Sequence, residues 1–330
     1  MNRRILVTGG AGYIGSHVVK QLGHAGHGVT VLDNLSTGRR EAVLCGTLIE
    51  ADLADIRALD RILRDGRFDA VMHFAGSIVV PESVSDPLKY YTNNTANTLN
   101  LLAACVKHGV HRFVFSSTAA VYGVSDKERV TEDDPPAPVN PYGASKWMSE
   151  RMIIDAAAAS PLRYVILRYF NVAGAEPQGR LGQAGSAATH LIRVACQTAL
   201  GLRPEMTIFG VDYPTADGTC IRDYVDVEDL AEAHVRALDY LTVGRDSVVL
   251  NFGYGRGHSV REVIDAVKRI SGVDFKVRVG ARRPGDPARL VASNEKLVAA
   301  FGWEPRRTSL DAIAGSALAW EERLAGVRPH

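Results

Sequence analysis

The chain has 330 residues, of which 46% are hydrophobic and 23% charged, so it has an ordinary globular composition and room for one large domain or two. Its formal net charge of +1 excludes the strong positive field of a nucleic-acid-binding protein. No apolar stretch of 18 residues occurs in it, which excludes a typical membrane-spanning helix.

The cysteines and the first residues predict a cytoplasmic protein without a metal site. The four cysteines lie far apart and form no C-x-x-C pair, so we expect neither a disulfide framework nor a zinc site. The basic start MNRR precedes an apolar run that stops after three residues, which is too short for a signal peptide. We therefore expect a cytosolic protein that binds neither nucleic acid nor a membrane.

Short, continuous apolar runs alternate with amphipathic stretches through the first half of the chain. The predicted strands are RILVTG, GVTVLDN, GTLIEADL, AVMHFAG and RFVFSST, with YVILRYFNV as a sixth. Such runs are typical of a parallel sheet that is covered on both faces. Helices are predicted between them, for example at IGSHVVKQLGHAG and NTANTLNLLAACVKHG. This order predicts an α/β fold with a Rossmann-type doubly wound parallel sheet, whose ligands bind at the carboxyl ends of the strands.

The pattern loosens after the sixth predicted strand, at the glycine-rich stretch GAEPQGRLGQAGSAATH. A helix at SVREVIDAVKRISG, a short strand at FKVRVG and a last helix near LDAIAGSALAWEERLA follow. We therefore predict a Rossmann-type domain over 1–175, rejoined by about 222–253. A smaller mixed α/β domain that binds the substrate takes up most of 176–330.

The stretch VTGGAGYIGS, after the first predicted strand, has two glycine spacings at once. Gly10, Gly12 and Gly15 form G-x-G-x-x-G, and Gly9 with the last two forms G-x-x-G-x-x-G. Missing side chains let the backbone approach a pyrophosphate, and the following helix presents its N-terminus to the negative charge. The alternative is a tight turn of purely structural importance.

An acidic residue in the right place supports a dinucleotide site and selects its ligand. Asp33 ends the second predicted strand, 18 residues after Gly15. A carboxylate there accepts hydrogen bonds from the adenosine ribose and repels a 2′-phosphate, which favours NAD over NADP. Arg39 and Arg40 count against this choice unless they lie on the solvated face. Asp52, after the third predicted strand, either contacts the adenine or caps a helix.

A tyrosine and a lysine in NPYGASK form the predicted chemical group. Tyr142 and Lys146 lie four residues apart and share one face of a helix. Free tyrosine titrates near pH ~10, and an ammonium or a positively charged nicotinamide nearby favours its phenolate. Upstream, VFSSTAAVYG places Ser117 and Thr118 at the end of the fifth predicted strand, and Thr118 is expected to hydrogen-bond the substrate oxygen. The alternative is an ordinary helix start with an exposed lysine.

An ordered set of motifs spans nearly the whole chain: GGAGYIGS, LDNLSTG, HFAG, YYTNN, SSTAAVYG, NPYGASK, LRYFNVAGA, IFGVDYPTADGTCIRDY and RRPGDPA. In these residues the chain resembles the extended short-chain dehydrogenase/reductase family, and within it the NAD-dependent sugar-nucleotide 4-epimerases. The resemblance implies an isomerase that interconverts UDP-glucose and UDP-galactose through a 4-keto-hexose. A hydride would pass to tightly bound NAD and return from it.

The resemblance also implies roles for single residues. Tyr142 would be the acid/base, Lys146 would tune it and hold the nicotinamide ribose, and Thr118 would position the sugar. The implied cofactor-binding residues are Gly9, Gly12, Tyr13, Ile14, Asp33, Asn34, Asp52, Leu53, Phe74, Ala75, Gly76, Asn93, Ser116, Tyr142, Lys146 and Tyr169. The implied substrate-binding residues are Thr118, Tyr142, Asn171, His190, Leu191, Arg222, Arg283 and Asp286.

Two arginines are expected to clamp the two phosphates of a UDP-sugar. Arg222 and Arg283 offer the forked donors that a pyrophosphate calls for, and the resemblance gives the uridine ribose to Asp286. The alternatives are a salt bridge from Arg222 to Asp223 or Asp226, and a solvated charge for Arg283.

Other members of the family are the main alternatives. Its dehydratases carry an Asp-Glu pair, and its decarboxylases a Glu, where this chain has Ala119 and Ala120, so we expect chemistry limited to reversible oxidation. A UDP-pentose (arabinose or xylose) or other nucleotide-sugar 4-epimerase stays open, and so do a net dehydrogenase or reductase and a non-catalytic NAD-sensing protein. The chain departs from the family's usual pattern at three further positions. Ile78 stands in place of a lysine, His190 in place of an asparagine and Asp226 in place of a histidine.

The family also implies a homodimer. Helices at NTANTLNLLAACVKHG and KWMSERMIIDAAAA carry apolar residues beyond one stripe, which suits a helix bundle between two subunits. The alternative is burial of these residues inside the monomer. Leu290 matches a position where a bulky residue crowds the 2-substituent of the sugar, so we expect poor acceptance of N-acetyl sugars; plain apolar packing is its alternative role.

Overall fold

The structure, a computed structural model, describes residues 2–185, 189–283 and 285–326. Its strands within these ranges are β1 Arg4–Thr8, β2 Gly28–Asp33, β3 Thr47–Glu50, β4 Ala70–His73, β5 Arg112–Thr118, β6 Arg163–Tyr169, β7 Asn171–Ala173, β8 Met206–Phe209, β9 Ile221–Asp226, β10 Val248–Phe252, β11 Gly257–Ser259, β12 Val277–Gly280 and β13 Arg289–Leu290. Its helices are α1 Tyr13–His24, α2 Ile56–Gly66, α3 Val80–Ser85, α4 Pro87–Tyr90, α5 Asn97–Lys107, α6 Pro141–Ala158, α7 Leu191–Ala199, α8 Val227–Thr242, α9 Val260–Ser271, α10 Glu295–Phe301 and α11 Leu310–Ala325. A π-helical segment, Tyr91–Ala96, joins α4 to α5.

A seven-stranded parallel sheet confirms the predicted doubly wound fold. Its strand order is β10-β6-β5-β4-β1-β2-β3. All six neighbouring pairs are parallel, which the connecting helices make possible. The predicted strand YVILRYFNV divides at Phe170, so that β6 stays in this sheet and β7 leaves it.

Helices cover the large sheet on both faces, and the strands between them alternate their side chains. Ile5 and Val7 of β1 join a buried core with α1 and α8, whereas Leu6 joins the core on the other face. Leu101 of α5 and Ile153 of α6 belong to that second core. Burial on both faces explains why these strands are continuously apolar in the sequence.

The smaller layer is built from short strands and three helices. Strand β9 pairs with β7, β11 and β13, and β8 pairs with β12 in a separate two-stranded sheet. Side chains of α7, α9 and α11 form its core. Helix α9 begins with a capping box between Ser259 and Glu262.

The part of the chain predicted to rejoin the large sheet does so except at its start. Helix α8 packs on α1, β5 and β6, and β10 is the edge strand of the large sheet. Strand β9 lies in the small sheet instead, because its backbone pairs with β7 and β13. We propose the division near residue 175 with α8 and β10 as the returning elements. Among the described residues no helix has the length and apolar composition needed to cross a bilayer.

Candidate active site

The carboxyl ends of neighbouring strands bring most of the predicted reactive and cofactor-binding residues to one edge of the large sheet. The glycine stretch follows β1, and residues 74–76 follow β4. Thr118 ends β5, and Tyr169 ends β6 in register with it. Parallel strands place such positions side by side, and this edge is where doubly wound folds bind ligands.

Two of the glycines are required by close backbone contacts. A Cβ on Gly9, whose φ is +71°, would lie 2.4 Å from the Ala75 nitrogen. A Cβ on Gly15 would lie 2.2 Å from the Gly9 carbonyl oxygen. Any side chain at either position would therefore push the glycine stretch away from β4 or from the start of α1.

The start of α1 fits an anionic group. Gly12 precedes the helix and has no side chain to cap it, and no acidic residue lies in the first turn. The N–H groups of this turn are therefore available to a phosphate, and the helix dipole favours negative charge there. Gly12, Tyr13 and Ser16 also line a cavity whose opposite wall includes Arg180 and Trp320. The glycine stretch thus fits the pyrophosphate of a dinucleotide.

Asp33 organises this stretch from the end of β2. Its buried carboxylate accepts hydrogen bonds from the Ala11 and Leu35 nitrogens, both at 2.9 Å. Asn34 is exposed and donates to Asp52 at 2.7 Å. The carboxylates of Asp33 and Asp52 therefore lie at the same edge of the large sheet, as the predicted adenosine site requires.

Three predicted cofactor residues use their side chains elsewhere. The Tyr13 hydroxyl donates to the Gly174 carbonyl at 2.7 Å, Ile14 packs on the core next to α1, and Leu53 is buried in the core on the other face. Only their main chains are left to face a ligand. Asp52 is not the cap of α2 either, because Asp55 accepts the capping hydrogen bond from the Ala58 nitrogen.

An asparagine that the sequence analysis did not single out organises the loop after β4. The Asn94 side chain accepts from the Ser77 nitrogen at 2.7 Å, and a Cβ on Gly76 would lie 3.0 Å from its oxygen. The predicted Asn93 donates to the Ser77 hydroxyl at 2.9 Å. Both belong to the π-helical segment, and such segments often mark functional sites. The motif YYTNN was the available signal.

The predicted reactive tyrosine lies at the start of α6. Asn140 caps this helix by accepting from the Gly143 nitrogen at 2.8 Å, and Pro141 is its first residue. Tyr142 is 9% exposed, and burial raises the pKa of its phenol. The hydrogen bond with Thr118 acts in the opposite direction and lowers it. The structure therefore brings the predicted acid/base and the predicted sugar-positioning hydroxyl together.

Lys146 lies one turn further along α6, under the loop of Gly76. Its Nζ is 4.5 Å from the centre of the Phe115 ring and would be 3.9 Å from a Cβ on Gly76. Burial lowers its pKa to about 8, and Glu150 acts against this shift. Lys146 was expected from the sequence to lower the pKa of Tyr142. In the structure burial has the largest effect on that pKa and raises it, and the hydrogen bond with Thr118 lowers it.

The three hydroxyls at the end of β5 divide between the two faces of the sheet. Ser116 hydrogen-bonds the hydroxyl of Tyr169, whose ring packs edge-on against His234 at 6.2 Å. Phe74 packs against the same histidine at 4.7 Å. Ser117 points to the other face and donates to a buried glutamate of α6. Thr118 is therefore the hydroxyl next to Tyr142.

The predicted phosphate clamp lies on β9 and the loop after β12. Arg222 hydrogen-bonds Asp286 at 3.3 Å, so the expected clamp and the expected ribose ligand lie together. Its alternative partners are occupied differently, because Asp223 accepts backbone N–H groups and Asp226 lies 3.2 Å from Arg307.

Arg283 and Leu290 flank this pair. Arg283 is exposed and lies over the Phe209 ring at 3.9 Å. Leu290 pairs with Arg222 in parallel register and packs on the buried cluster that contains Phe170.

The remaining predicted substrate residues lie where the chain passes into the smaller layer. Asn171 begins β7 and is exposed, and β7 runs parallel to β9. His190 precedes α7, whose first residue is Leu191, and its Nδ1 lies 2.7 Å from the Gln183 amide nitrogen. Burial, and to a lesser extent Arg193, lowers the pKa of His190, which keeps the ring neutral near pH 7.

Comparison with known proteins gives full-length matches. The model of the NAD dependent epimerase/dehydratase family matches residues 5–253. A UDP-glucose 4-epimerase of Azospirillum brasilense is 58% identical over 322 residues, which are 97% of this chain and 92% of that protein.

Two solved structures are similar along their whole length. A UDP-glucose 4-epimerase from Brucella ovis in complex with NAD is 42% identical with a TM-score of 0.93, over 97% of this chain and 98% of that one. A UDP-glucose-4-epimerase from Stenotrophomonas maltophila, with bound NAD and formylated UDP-arabinopyranose, is 37% identical with a TM-score of 0.95, over 98% and 99%.

Proposed function

The chain belongs to the NAD-dependent epimerase/dehydratase family, and we propose that it inverts C4 of UDP-glucose and UDP-galactose reversibly through a 4-keto-hexose. It is an isomerase, and its cofactor is NAD. The contact of Tyr142 with Thr118 at the carboxyl edge of the sheet carries the proposal, because an acid/base must meet a sugar hydroxyl there.

This chain's own residues divide the work. Bound NAD would supply the hydride acceptor and donor that oxidation and re-reduction at C4 require. Tyr142 removes the proton from the 4-hydroxyl and gives it back, and Thr118 holds that oxygen in hydrogen-bond reach of the phenol. The ammonium of Lys146, one helical turn away and close to Gly76, would hold the nicotinamide ribose.

The UDP part of the substrate would be held in the smaller layer while the hexose rotates and presents its other face. Arg222, oriented by its hydrogen bond to Asp286, and Arg283 supply two cations for the two phosphates. Asp286 would then also take the uridine ribose. A firm hold on UDP and a loose hold on the hexose is the division of binding that inversion at C4 requires.

Two alanines restrict the chemistry to this reaction. Ala119 and Ala120 follow Thr118 in a short 3₁₀ turn, where an elimination or decarboxylation would need a carboxylate. A second candidate, a UDP-pentose 4-epimerase, is favoured by one observation: the solved relative from Stenotrophomonas maltophila holds a UDP-arabinopyranose derivative.

The test is to incubate the purified protein with UDP-galactose, without added cofactor, and to follow UDP-glucose by chromatography. UDP-glucose should accumulate to a constant ratio, and free NADH should not build up. In a parallel incubation with UDP-arabinose, conversion of this sugar but not of UDP-galactose would establish the pentose activity instead. In a third incubation, with NAD added, stoichiometric consumption of the NAD would establish a net dehydrogenase.

Leu290 gives the proposal a specificity. Its backbone pairs with that of Arg222, one of the two proposed phosphate-binding residues, so we propose that its side chain limits the space for the 2-substituent of the sugar. We expect UDP-N-acetylglucosamine to be turned over poorly and a Leu290→Ser variant to accept it better. Comparable turnover of both sugars by the unaltered protein would contradict this role.

A second copy of the chain is the proposed partner. Leu99 and Val106 on α5 and Met148 on α6 are exposed, and a groove between these helices is lined by Leu102, Met152 and Ala156. The groove is apolar along its length, which suits an identical helix pair better than a polar ligand. Leu99→Asp should therefore convert a dimer to a monomer in light scattering. Leu202→Asp is the control, because Leu202 is 54% exposed and Leu99 53%; a monomeric unaltered protein would refute the dimer.

A further inference from the structure

A buried carboxylate lies directly beneath the reactive pair. Glu150 is on α6, one turn after Lys146 and two after Tyr142, and it is 1% exposed. The hydroxyl of Ser117 on β5 donates to it. Because Ser117 lies between two residues that face the active site, this contact joins the reactive end of β5 to the middle of α6.

An arginine of the next strand forms a buried ion pair with this carboxylate. Arg168 on β6 donates from Nε to both Glu150 oxygens, at 3.1 and 3.2 Å, and from Nη2 at 2.6 Å. Its Nη1 donates to the Tyr122 hydroxyl at 3.0 Å. Removing one partner of such a pair leaves an uncompensated buried charge. The intact pair therefore stabilises the packing of α6 on the sheet.

The hydrogen-bond network continues from Arg168 to strand β10 and to the segment that follows β13. Tyr122 donates to Asn251 on β10 at 2.7 Å, and Asn251 donates to the Val130 carbonyl at 3.1 Å. Val130 in turn bridges to Ala292, two residues after β13. Every member named is buried, so the network has a single well-defined arrangement.

We propose that Glu150 is a positioning residue, which holds α6 against β5 and β6 so that Tyr142 meets Thr118 and Lys146 keeps its place one helical turn from this carboxylate. This role rests on the proposed epimerase activity only for its kinetic consequences. The geometry itself is independent of substrate.

Among the charged and titratable groups near Lys146, Glu150 is the one that supports the positive charge of this lysine. On β4, His73 has a pKa lowered to about 3 by burial and by Lys146, so it is neutral at working pH. On β6, Arg168 is already paired with Glu150, and on α6 itself Tyr142 is a neutral phenol unless it loses its proton. Glu150 is the group that raises the pKa of Lys146 against the effect of burial.

The test compares Glu150→Gln, which keeps the shape and loses the charge, with Ser117→Ala, which loses one hydrogen bond and keeps the charge. In Glu150→Gln the alkaline limb of the epimerisation rate should move about one pH unit lower, and Ser117→Ala should keep it in place. KM and thermal unfolding are measured alongside. A Glu150→Gln variant that loses stability or rate with an unmoved limb would overturn the proposal.

A second measurement does not depend on activity. The side chain of Lys146 is titrated by NMR in protein with isotope-labelled lysine, and its signal is assigned with a Lys146→Met variant. The titration midpoint should fall by about one pH unit in Glu150→Gln. If the midpoint falls in this way but the protein does not act on UDP-sugars, the result contradicts the proposed function and supports the role of Glu150.

If Glu150→Gln does not fold, the double variant Glu150→Gln, Arg168→Gln removes both buried charges. The midpoint should still fall, but by less than in Glu150→Gln alone, because the loss of the Arg168 cation also removes a repulsion of the Lys146 ammonium. An unchanged midpoint in the double variant would overturn the proposal.

Discussion

At the scale of single residues, the reactive phenol differs from its neighbours in what surrounds its hydroxyl. Tyr90 is within hydrogen-bond reach of Val79 and Glu82, and Tyr169 pairs with Ser116, whereas Tyr142 has the hydroxyl of Thr118. Burial raises the pKa of Tyr142, so the phenol is protonated near neutrality until ligands and neighbouring cations stabilise the phenolate.

Tyr142→Phe should lower kcat for UDP-galactose by at least about 100-fold, because general acid–base help of this kind is typically worth 10²–10⁴. KM and thermal unfolding should change little, since only one hydroxyl is lost. Tyr164→Phe at the opposite end of β6 is the control and should leave kcat unchanged. An active Tyr142→Phe protein would show that another group is the base.

The sequence was sufficient for some of these residues and not for others. The Tyr142 and Lys146 spacing fixes one helical face, so their neighbourhood was predictable. The contact between Arg222 and Asp286 was not, because 64 residues separate the two and only the folded small layer brings them together. Asn94 was missed for a similar reason: its role depends on the π-helical turn that aims it at the backbone of Ser77.

At the scale of elements, helix α1 is attached to α8 by a buried ion cluster. Lys20 donates to both oxygens of Glu228, at 2.9 and 2.8 Å, and lies 3.6 Å from Glu176. Burial raises the pKa of Glu228, but His17 and Lys20 outweigh it and bring the value to about 2. The helix whose start is proposed to bind the pyrophosphate is therefore held in place by charged side chains at its middle.

Lys20→Met should lower the free energy of unfolding by about 3 kcal/mol, because it removes the cation that binds both oxygens of the largely buried Glu228 carboxylate. Urea denaturation at pH 7 measures the loss. Lys89→Met, which breaks an exposed pair with Glu82, is the matched control and should cost less than about 0.5 kcal/mol. Equal losses in both variants would show that the cluster does not attach α1.

Elements of the large sheet were easier to predict than those of the small one. A strand such as β1, buried on both faces, appears in the sequence as an unbroken apolar run. Strand β9 contains Arg222, Asp223 and Asp226, and its polar sequence hides a strand whose carboxylates accept hydrogen bonds from backbone N–H groups of α8 and of the loop after β10. The break between β6 and β7 was hidden for the opposite reason, since the apolar Phe170 continues the run.

At the scale of the whole molecule, buried aspartates and buried histidines change the stability with pH in opposite directions. Burial raises the pKa of Asp223 and of Asp226 to about 6. Burial lowers the pKa of His73 to about 3 and that of His234 to about 4. Between pH 4 and 6 the folded protein holds extra protons on the aspartates and lacks protons on the histidines, so the two slopes oppose each other.

Asp226 is the aspartate to isolate, because one of its buried oxygens has no hydrogen-bond partner among the described residues. Its other oxygen caps α8 through the Glu228 nitrogen. An acid whose folded pKa exceeds its unfolded value stabilises most when protonated in both states, and that stability falls as the pH rises to the folded value. For Asp226 the fall covers roughly pH 4 to 6.

Asp226→Asn removes this fall and leaves the histidine contributions in place. The stability of the variant relative to the unaltered protein should therefore rise by about 2–3 kcal/mol between pH 4 and pH 7, since each pKa unit is worth 1.36 kcal/mol. Urea denaturation at both pH values measures the difference, in which the histidine terms cancel. Asp246→Asn, at an exposed position, should show no such rise. A flat difference for Asp226→Asn would mean that Arg307, 3.2 Å away, already keeps that carboxylate ionised in the folded protein.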